Sequence, residues 1–489
     1  MYLIGNTKIG DKMKKIIIIG SGITGLCTGI FLLKKGHEVT IYEKNDFAGG
    51  CCTGWERNGY YIDNCMHWLT GTNQHTKTFK LWKQVGALSE TSNLYQGDYF
   101  YKSMYNNEEI ALSYDLDKTR TDMLNLSISD EKEINNFINT TLNFVRMHKE
   151  MNFIENTFKR PLYYINSYFK YRHLSLEDLS KRFKHPLLKK LFTDFLPKEY
   201  CSLALIYAYA TFASGDGKVY SKGSKAFANN ILKTYLDKGG FIHFNSEVTN
   251  ININNNRVES IIVNNKETVT GDEFIFTASP THLFSNLISE DYMPKVLKDK
   301  FSKRTINPIY SSFHVAFKIK KKHNQISDSM IFEIPPIKIG ATYITRLMLK
   351  DYTYLYPNKA DTVVQVFTIQ SEEDYNYWQN LKNNNHEAYE EEKKNIADKL
   401  MELICNEFKS MKQSISLLDV WTPYTYTEYF NSYIGSYMGF TFTKKSNLKD
   451  IPYKINGLKN FYSLTYWQKI CGGLPIGLEL GNHISKVIK

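Results

Sequence analysis

Cysteine is sparse in this chain of 489 residues: there are seven, an odd number. That excludes a disulfide-built scaffold and points to reduced thiols in a cytoplasmic protein. No Cys/His cluster has the spacing of metal ligands, so no metal site is expected. Nucleophile-elbow and kinase signatures are missing, as is any internal repeat. The net charge is +11, but lysines carry most of it and are spread along the whole chain. Without a basic element of recognisable fold, nucleic-acid binding is not expected. The dispersed lysine reads either as ordinary solvated surface or as attraction to an anionic membrane. One uncharged run, residues 16–33, lies between Lys14-Lys15 and Lys34-Lys35 and imitates a signal peptide or a short span. Gly20, Gly22, Gly25 and Gly29 interrupt it and no small-residue cleavage site follows, so neither is expected. At 42% hydrophobic and 23% charged residues the composition is globular, and the length asks for two domains.

What is present begins with residues 15–19, a β-branched run suited to a strand buried on both faces. Gly20-Ser21-Gly22-Ile23-Thr24-Gly25 breaks it, an apolar helical pattern runs to Lys35, and residues 39–42 make a second strand ending at Glu43. This is the dinucleotide-binding βαβ unit. Gly20 permits the turn, Gly22 lets a pyrophosphate approach, Gly25 lets helix and strand pack, and the helix N-terminus favours the phosphates. Glu43 is placed for the ribose hydroxyls. Residues from about 80 to 200 are helix-rich. The α/β texture returns near Ser214, with a helix whose core face is Phe227, Ala228, Ile231, Leu232, Tyr235 and Leu236. A second amphipathic helix presents Ile396, Leu400, Leu403, Ile404 and Phe408, and the last forty residues read strand, glycine turn, helix.

Glu43-Lys44 followed by Gly49-Gly50 resembles the continuation found in FAD-binding proteins of the glutathione-reductase type. Four blocks extend the likeness. They are residues 20–70, ending Gly59-Tyr60-Tyr61-Ile62-Asp63-Asn64-Cys65-Met66-His67; residues 219–224 with Ser246-Glu247-Val248 beyond; residues 422–426 with Gly435 and Gly439; and Asn460-Phe461-Tyr462, Trp467 and Gly472-Gly473-Leu474-Pro475. Together they resemble the phytoene desaturase, carotenoid isomerase and retinol saturase family, a branch of the flavin amine oxidase superfamily. The chain departs from that pattern at Cys51, at Thr465-Tyr466 and at Cys471.

The resemblance implies an α/β fold: a glutathione-reductase-type, Rossmann-like FAD-binding domain with an interleaved α+β substrate domain. The expected division is an extension without function (1–12), FAD-binding parts at 13–80, 206–290 and 451–489, a helical substrate or lid region at 81–205, and a β-containing substrate domain at 291–450. It implies FAD held by Gly20, Ser21, Gly22, Ile23, Thr24, Gly25, Glu43, Lys44, Gly49, Gly50, Cys51, His67, Val248, Gly472, Gly473 and Leu474. His67 and Tyr466 are the candidates for a catalytic role. Cys471 is either a flavin-side thiol or a replaced glycine, and the proximity of Cys51-Cys52 to the pyrophosphate loop reads as incidental. The implied activity is hydride transfer to or from flavin N5 on C–C or C=C bonds of a lipophilic polyene or isoprenoid. Only one dinucleotide fingerprint is present, so electrons pass to or from oxygen, a quinone, a diffusible nicotinamide or a partner. Phe153, Phe158, Tyr163, Tyr164, Tyr168 and Phe169 interleaved with Lys159, Arg160 and Lys170 read as a peripheral membrane contact or as an aromatic core with a lysine rim. Two further readings stay open: an amine oxidase-like or natural-product-tailoring flavoenzyme, and a flavin-free escort for prenylated proteins.

Overall fold

The computed structural model describes residues 13–150, 162–470 and 472–489. The expected extension at 1–12, the residues Phe153, Phe158, Lys159 and Arg160, and Cys471 lie outside the described residues.

Four consecutive isoleucines explain the first sheet. In strand Lys15–Ile19, Ile16 and Ile18 face one side and Ile17 and Ile19 the other, all buried. The strand lies at the centre of a parallel five-stranded sheet ordered Phe241–His243, Glu38–Tyr42, Lys15–Ile19, Glu273–Phe276 and Phe461–Ser463. Helices Ile23–Leu33, Ser224–Asp237 and Leu474–Ile484 bury the side of Ile16 and Ile18. An antiparallel meander, Val248–Asn254, Arg257–Val263 and Glu267–Thr270, covers Ile17 and Ile19. The first and last of the three helices pack closely because small residues meet. A Cβ at Gly477 would lie 2.4 Å from Thr24 Oγ1, and one at Gly481 2.8 Å from the Thr28 nitrogen. That contact brings the chain's two ends together.

A seven-stranded sheet stands beside this domain, ordered Ser416–Trp421, Ser311–Lys320, Asp361–Gln370, Thr342–Asp351, Ser329–Ile339, Tyr99–Tyr105 and Glu108–Ser113. Its pairings are antiparallel except the parallel one between Ser329–Ile339 and Tyr99–Tyr105. Strand alternation sorts its faces. Phe313, Val315, Phe317, Leu347, Leu349, Val364 and Val366 pack under helix His386–Glu407. Ser312, His314, Met348, Phe367 and Ile369 point the other way, into a cavity. The hairpin 99–113 falls within the stretch expected to be helix-rich. Its aromatic strand Tyr99–Tyr105 and the two left-handed asparagines Asn106 and Asn107 make it a tight β-turn instead. Helices Leu116–Leu126, Glu131–Glu150, Leu162–Arg172, Pro186–Asp194 and Ser202–Ala213 form the third layer. Among the described residues no helix is long and apolar enough to cross a membrane.

Candidate active site

A single cavity of about 1040 Å³ runs between the three layers. One end is walled by the amino-terminal turn, with Gly20, Gly22, Ile23 and Thr24, and by Glu43, Lys44 and Val248. Gly49, Gly50, Cys51 and His67 continue it, and Gly472, Gly473, Leu474 and Tyr466 close over it from the carboxyl-terminal turn. Ser21 and Gly25 do not line it but build it. Glu43 Oε2 accepts from the Ser21 amide and hydroxyl, both at 2.8 Å, and Oε1 from the Asn45 amide at 2.9 Å. A carboxylate so fixed presents its remaining lone pairs in one direction. Gly25 is obligatory because a Cβ there would meet the Gly20 carbonyl oxygen at 2.1 Å, whereas nothing lies within 4 Å of one built on Gly22.

The two glycine turns interlock. The Gly49 amide donates to Ser21 O at 2.9 Å, and a Cβ at Gly50 would press on the Gly22 Cα at 3.3 Å. The open side of Gly22, at the start of helix Ile23–Leu33, is a backbone cradle for a pyrophosphate. Val248 is held beside Glu43 through the Ser246 amide, which donates to Glu43 O at 2.8 Å. The Lys44 amine is tied to Asn431 Oδ1 at 2.8 Å and Glu428 O at 3.1 Å, which fastens the nucleotide end to the substrate layer. These residues fit an adenine dinucleotide.

Toward the sheet the cavity becomes less polar. Asp63 organises the segment leading to His67: its carboxylate accepts from the Ser224 amide (2.6 Å), Ser224 Oγ (2.7 Å), and the Cys65 and Met66 amides (3.1 and 3.2 Å). The sheet grips the same segment from outside. Gln365 donates to Asp63 O and Lys350 to His67 O, each at 3.0 Å. Burial lowers the Lys350 amine to about 8 and pushes His67 well below the usual histidine range. Tyr466 donates to Ser436 O at 3.1 Å, and burial raises its phenol.

Sequence reasoning missed His314, whose only signal is a histidine spaced two residues from Ser312 in an apolar strand. It stacks on Trp421 at 4.6 Å, and burial holds it down to about 3. Tyr426 donates to Asn64 Oδ1 at 3.0 Å, since the Asn64 amide nitrogen is used on Cys51 O. His314 Nε2 lies 2.7 Å from Ser312 Oγ and 3.3 Å from the Tyr426 oxygen, while Nδ1 is buried with no hydrogen-bond partner among the described residues. The far chamber is apolar, lined by Phe144, Tyr164, Ile165, Tyr168, Phe195, Leu203, Ala204, Ala208 and Phe442.

The model of the family described as flavin containing amine oxidoreductase matches residues 23–443. The chain belongs to that family. The protein is thus an FAD-dependent oxidoreductase, and the cofactor expected from the sequence stands. Among its relatives is a 4,4'-diaponeurosporene oxygenase of Staphylococcus aureus, 23% identical with 97% of this chain and 98% of that protein covered. Similar solved structures include an oxidoreductase from Methanosarcina mazei (14% identity, TM-score 0.60, 97% and 100% covered). A putrescine oxidase variant is also similar (12% identity, TM-score 0.63, 98% and 99% covered). At such identities these structures share the fold. In this oxidoreductase the residues that fit the dinucleotide come from both ends of the chain.

Proposed function

We propose that this flavoenzyme acts on C–C or C=C bonds of a lipophilic substrate of the polyene or isoprenoid class. The observation that carries the reading is the continuity of one cavity, from the dinucleotide cradle into a chamber walled by aromatic and aliphatic side chains. Such a chamber favours a long apolar molecule because burying its surface is worth about 25 cal/mol per Å². The name of the diaponeurosporene oxygenase relative supports the same class. Bound FAD supplies two-electron chemistry at the ring. The protein's part is to hold the dinucleotide through Gly22, Glu43 and Val248, to seat the substrate between the helical layer and the sheet face of Met348, Phe367 and Ile369, and to keep water out. Neutral imidazoles at His67 and His314 leave that sheet face without the positive charge two protonated histidines would bring.

The substrate's route supports a membrane contact. Phe169 lines the chamber yet is 62% exposed, and Leu162 on the same helix is 77% exposed. Helix Leu162–Arg172 carries the exposed Lys170 in its last turn, whereas Arg172 is buried on the Lys444 and Ser446 carbonyls. An apolar rim beside an exposed lysine suits an anionic lipid surface. Flotation with anionic vesicles tests this: the protein rises with them, and its failure to rise overturns the contact.

The substrate test is anaerobic incubation of the flavin-loaded protein with polyenes, retinoids and amines while the oxidised flavin band is followed. Bleaching by polyenes or retinoids is expected; bleaching by amines alone establishes the amine oxidase reading. A colourless protein that releases no flavin on denaturation returns the escort reading.

A further inference from the structure

Three cysteines, Cys51, Cys52 and Cys65, line the cofactor end of the cavity. Two of them oppose each other across a hairpin. Strand Gly54–Arg57 pairs antiparallel with Tyr60–Asp63, with Gly54 opposite Asp63. The pairing continues beyond the strands, since the Asn64 amide donates to Thr53 O at 3.1 Å. The next step of that register sets Cys52 opposite Cys65. Directly opposed antiparallel residues have Cα atoms roughly 4.5–5.5 Å apart, inside the roughly 4.4–6.8 Å that a disulfide spans. Cys52 Sγ reaches Ser224 O at 3.6 Å, and the neighbouring Cys65 thiol together with burial pushes the Cys52 thiol well above the usual range. Asp63 holds the Cys65 amide at one end of this arrangement and Ser224 at the other, so the pair is built into the same clamp that shapes the site. Cys51, adjacent in sequence to Cys52, lacks this cross-strand relation to Cys65.

We propose that Cys52 and Cys65 form a dithiol–disulfide couple that exchanges two electrons with the flavin held in the same cavity. On oxidation the two S–H bonds break and one S–S bond forms, and two electrons and two protons pass to oxidised flavin, leaving it two-electron reduced. The reverse step reopens the disulfide with the same electrons and protons. The neighbouring Cys65 thiol and burial push the Cys52 thiol well above the usual range and keep it protonated. Protonated thiols are slow nucleophiles, so the pair exchanges little with thiols in solution and its oxidation depends on an acceptor inside the cavity. The couple gives the protein a second two-electron store beside its cofactor. The inference rests on flavin binding but not on the nature of the substrate.

The test needs no substrate. Flavin-loaded protein is reduced with dithiothreitol, freed of reagent under anaerobic conditions with its flavin oxidised, and then admitted to air. Samples are denatured at each stage into an alkylating reagent and mapped by peptide mass. Partial bleaching of the oxidised flavin band before air is expected. In air the seven alkylatable thiols should fall to five, with a peptide joining Cys52 to Cys65. Cys65→Ser should abolish both the bleaching and the cross-link, and Cys405→Ser, on helix His386–Glu407 and not lining the cavity, should preserve both. Should Cys65→Ser fail to hold flavin, the wild-type map still decides. A count that stays at seven overturns the proposal. So do a bridge between other cysteines and thiol loss in air without anaerobic bleaching. A protein that carries no flavin overturns it together with the cofactor reading.

Discussion

Glu479 illustrates how a single side chain carries information about this cavity. It lines the cavity on helix Leu474–Ile484, its Oε2 is buried with no hydrogen-bond partner among the described residues, and burial lifts its carboxyl to about 7, opposed by Lys469. Between an ordinary carboxyl value near 4.5 and about 7, the folded state keeps a proton that the unfolded chain has released. Stability therefore falls as pH rises through that window, and the loss is complete above it, amounting to as much as about 3 kcal/mol. Glu479→Gln should remove this dependence. The gap between variant and wild type in urea unfolding should move in the variant's favour by about 2–3 kcal/mol from pH 4.5 to pH 8. A gap that does not change with pH contradicts the buried carboxyl. Glu479 could not be singled out from sequence, because a glutamate on an amphipathic helix looks the same whether it faces water or a chamber.

At the scale of elements the decisive join is between the segment ending in His67 and helix Ser224–Asp237. The Asp63 carboxylate accepts there from the Cys65 and Met66 amides, the Tyr61 hydroxyl, and the amide and hydroxyl of Ser224 at the helix N-terminus. Asp63→Ala leaves buried amides unpaired and removes a carboxylate from the positive end of a helix dipole. It should cost about 3 kcal/mol, lower the melting temperature, and release flavin more readily; full flavin content with unchanged melting contradicts the clamp. Elements with a strong local signature were legible. The isoleucine run, the glycine turn and the apolar helix behind it each read as strand, turn and helix, because short-range sterics and periodicity suffice for them. The hairpin 99–113 was not legible as part of a distant sheet. Its strand Tyr99–Tyr105 pairs with Ser329–Ile339, more than two hundred residues away, and nothing local announces such a partner.

For the whole molecule, function depends on the cofactor cradle and the apolar chamber being one space. Ala208, on helix Ser202–Ala213, lines that chamber far in sequence from the glycine turns. Ala208→Trp should fill part of it, lowering reduction of the flavin by a lipophilic substrate at least about tenfold while flavin content and spectrum stay unchanged. Equal loss of flavin and of substrate reduction would show that the two ends are not separable. The sequence by itself determined the dinucleotide turn, the acid that follows it and the family-like blocks, because those depend on backbone conformation and residue order over short distances. Tertiary structure alone decided that Lys350 and Gln365 grip the segment from Asp63 to His67, and that helices and sheet enclose an apolar chamber. Each of these arises where segments remote in sequence meet, and the pairing is selected by the packing of the whole chain.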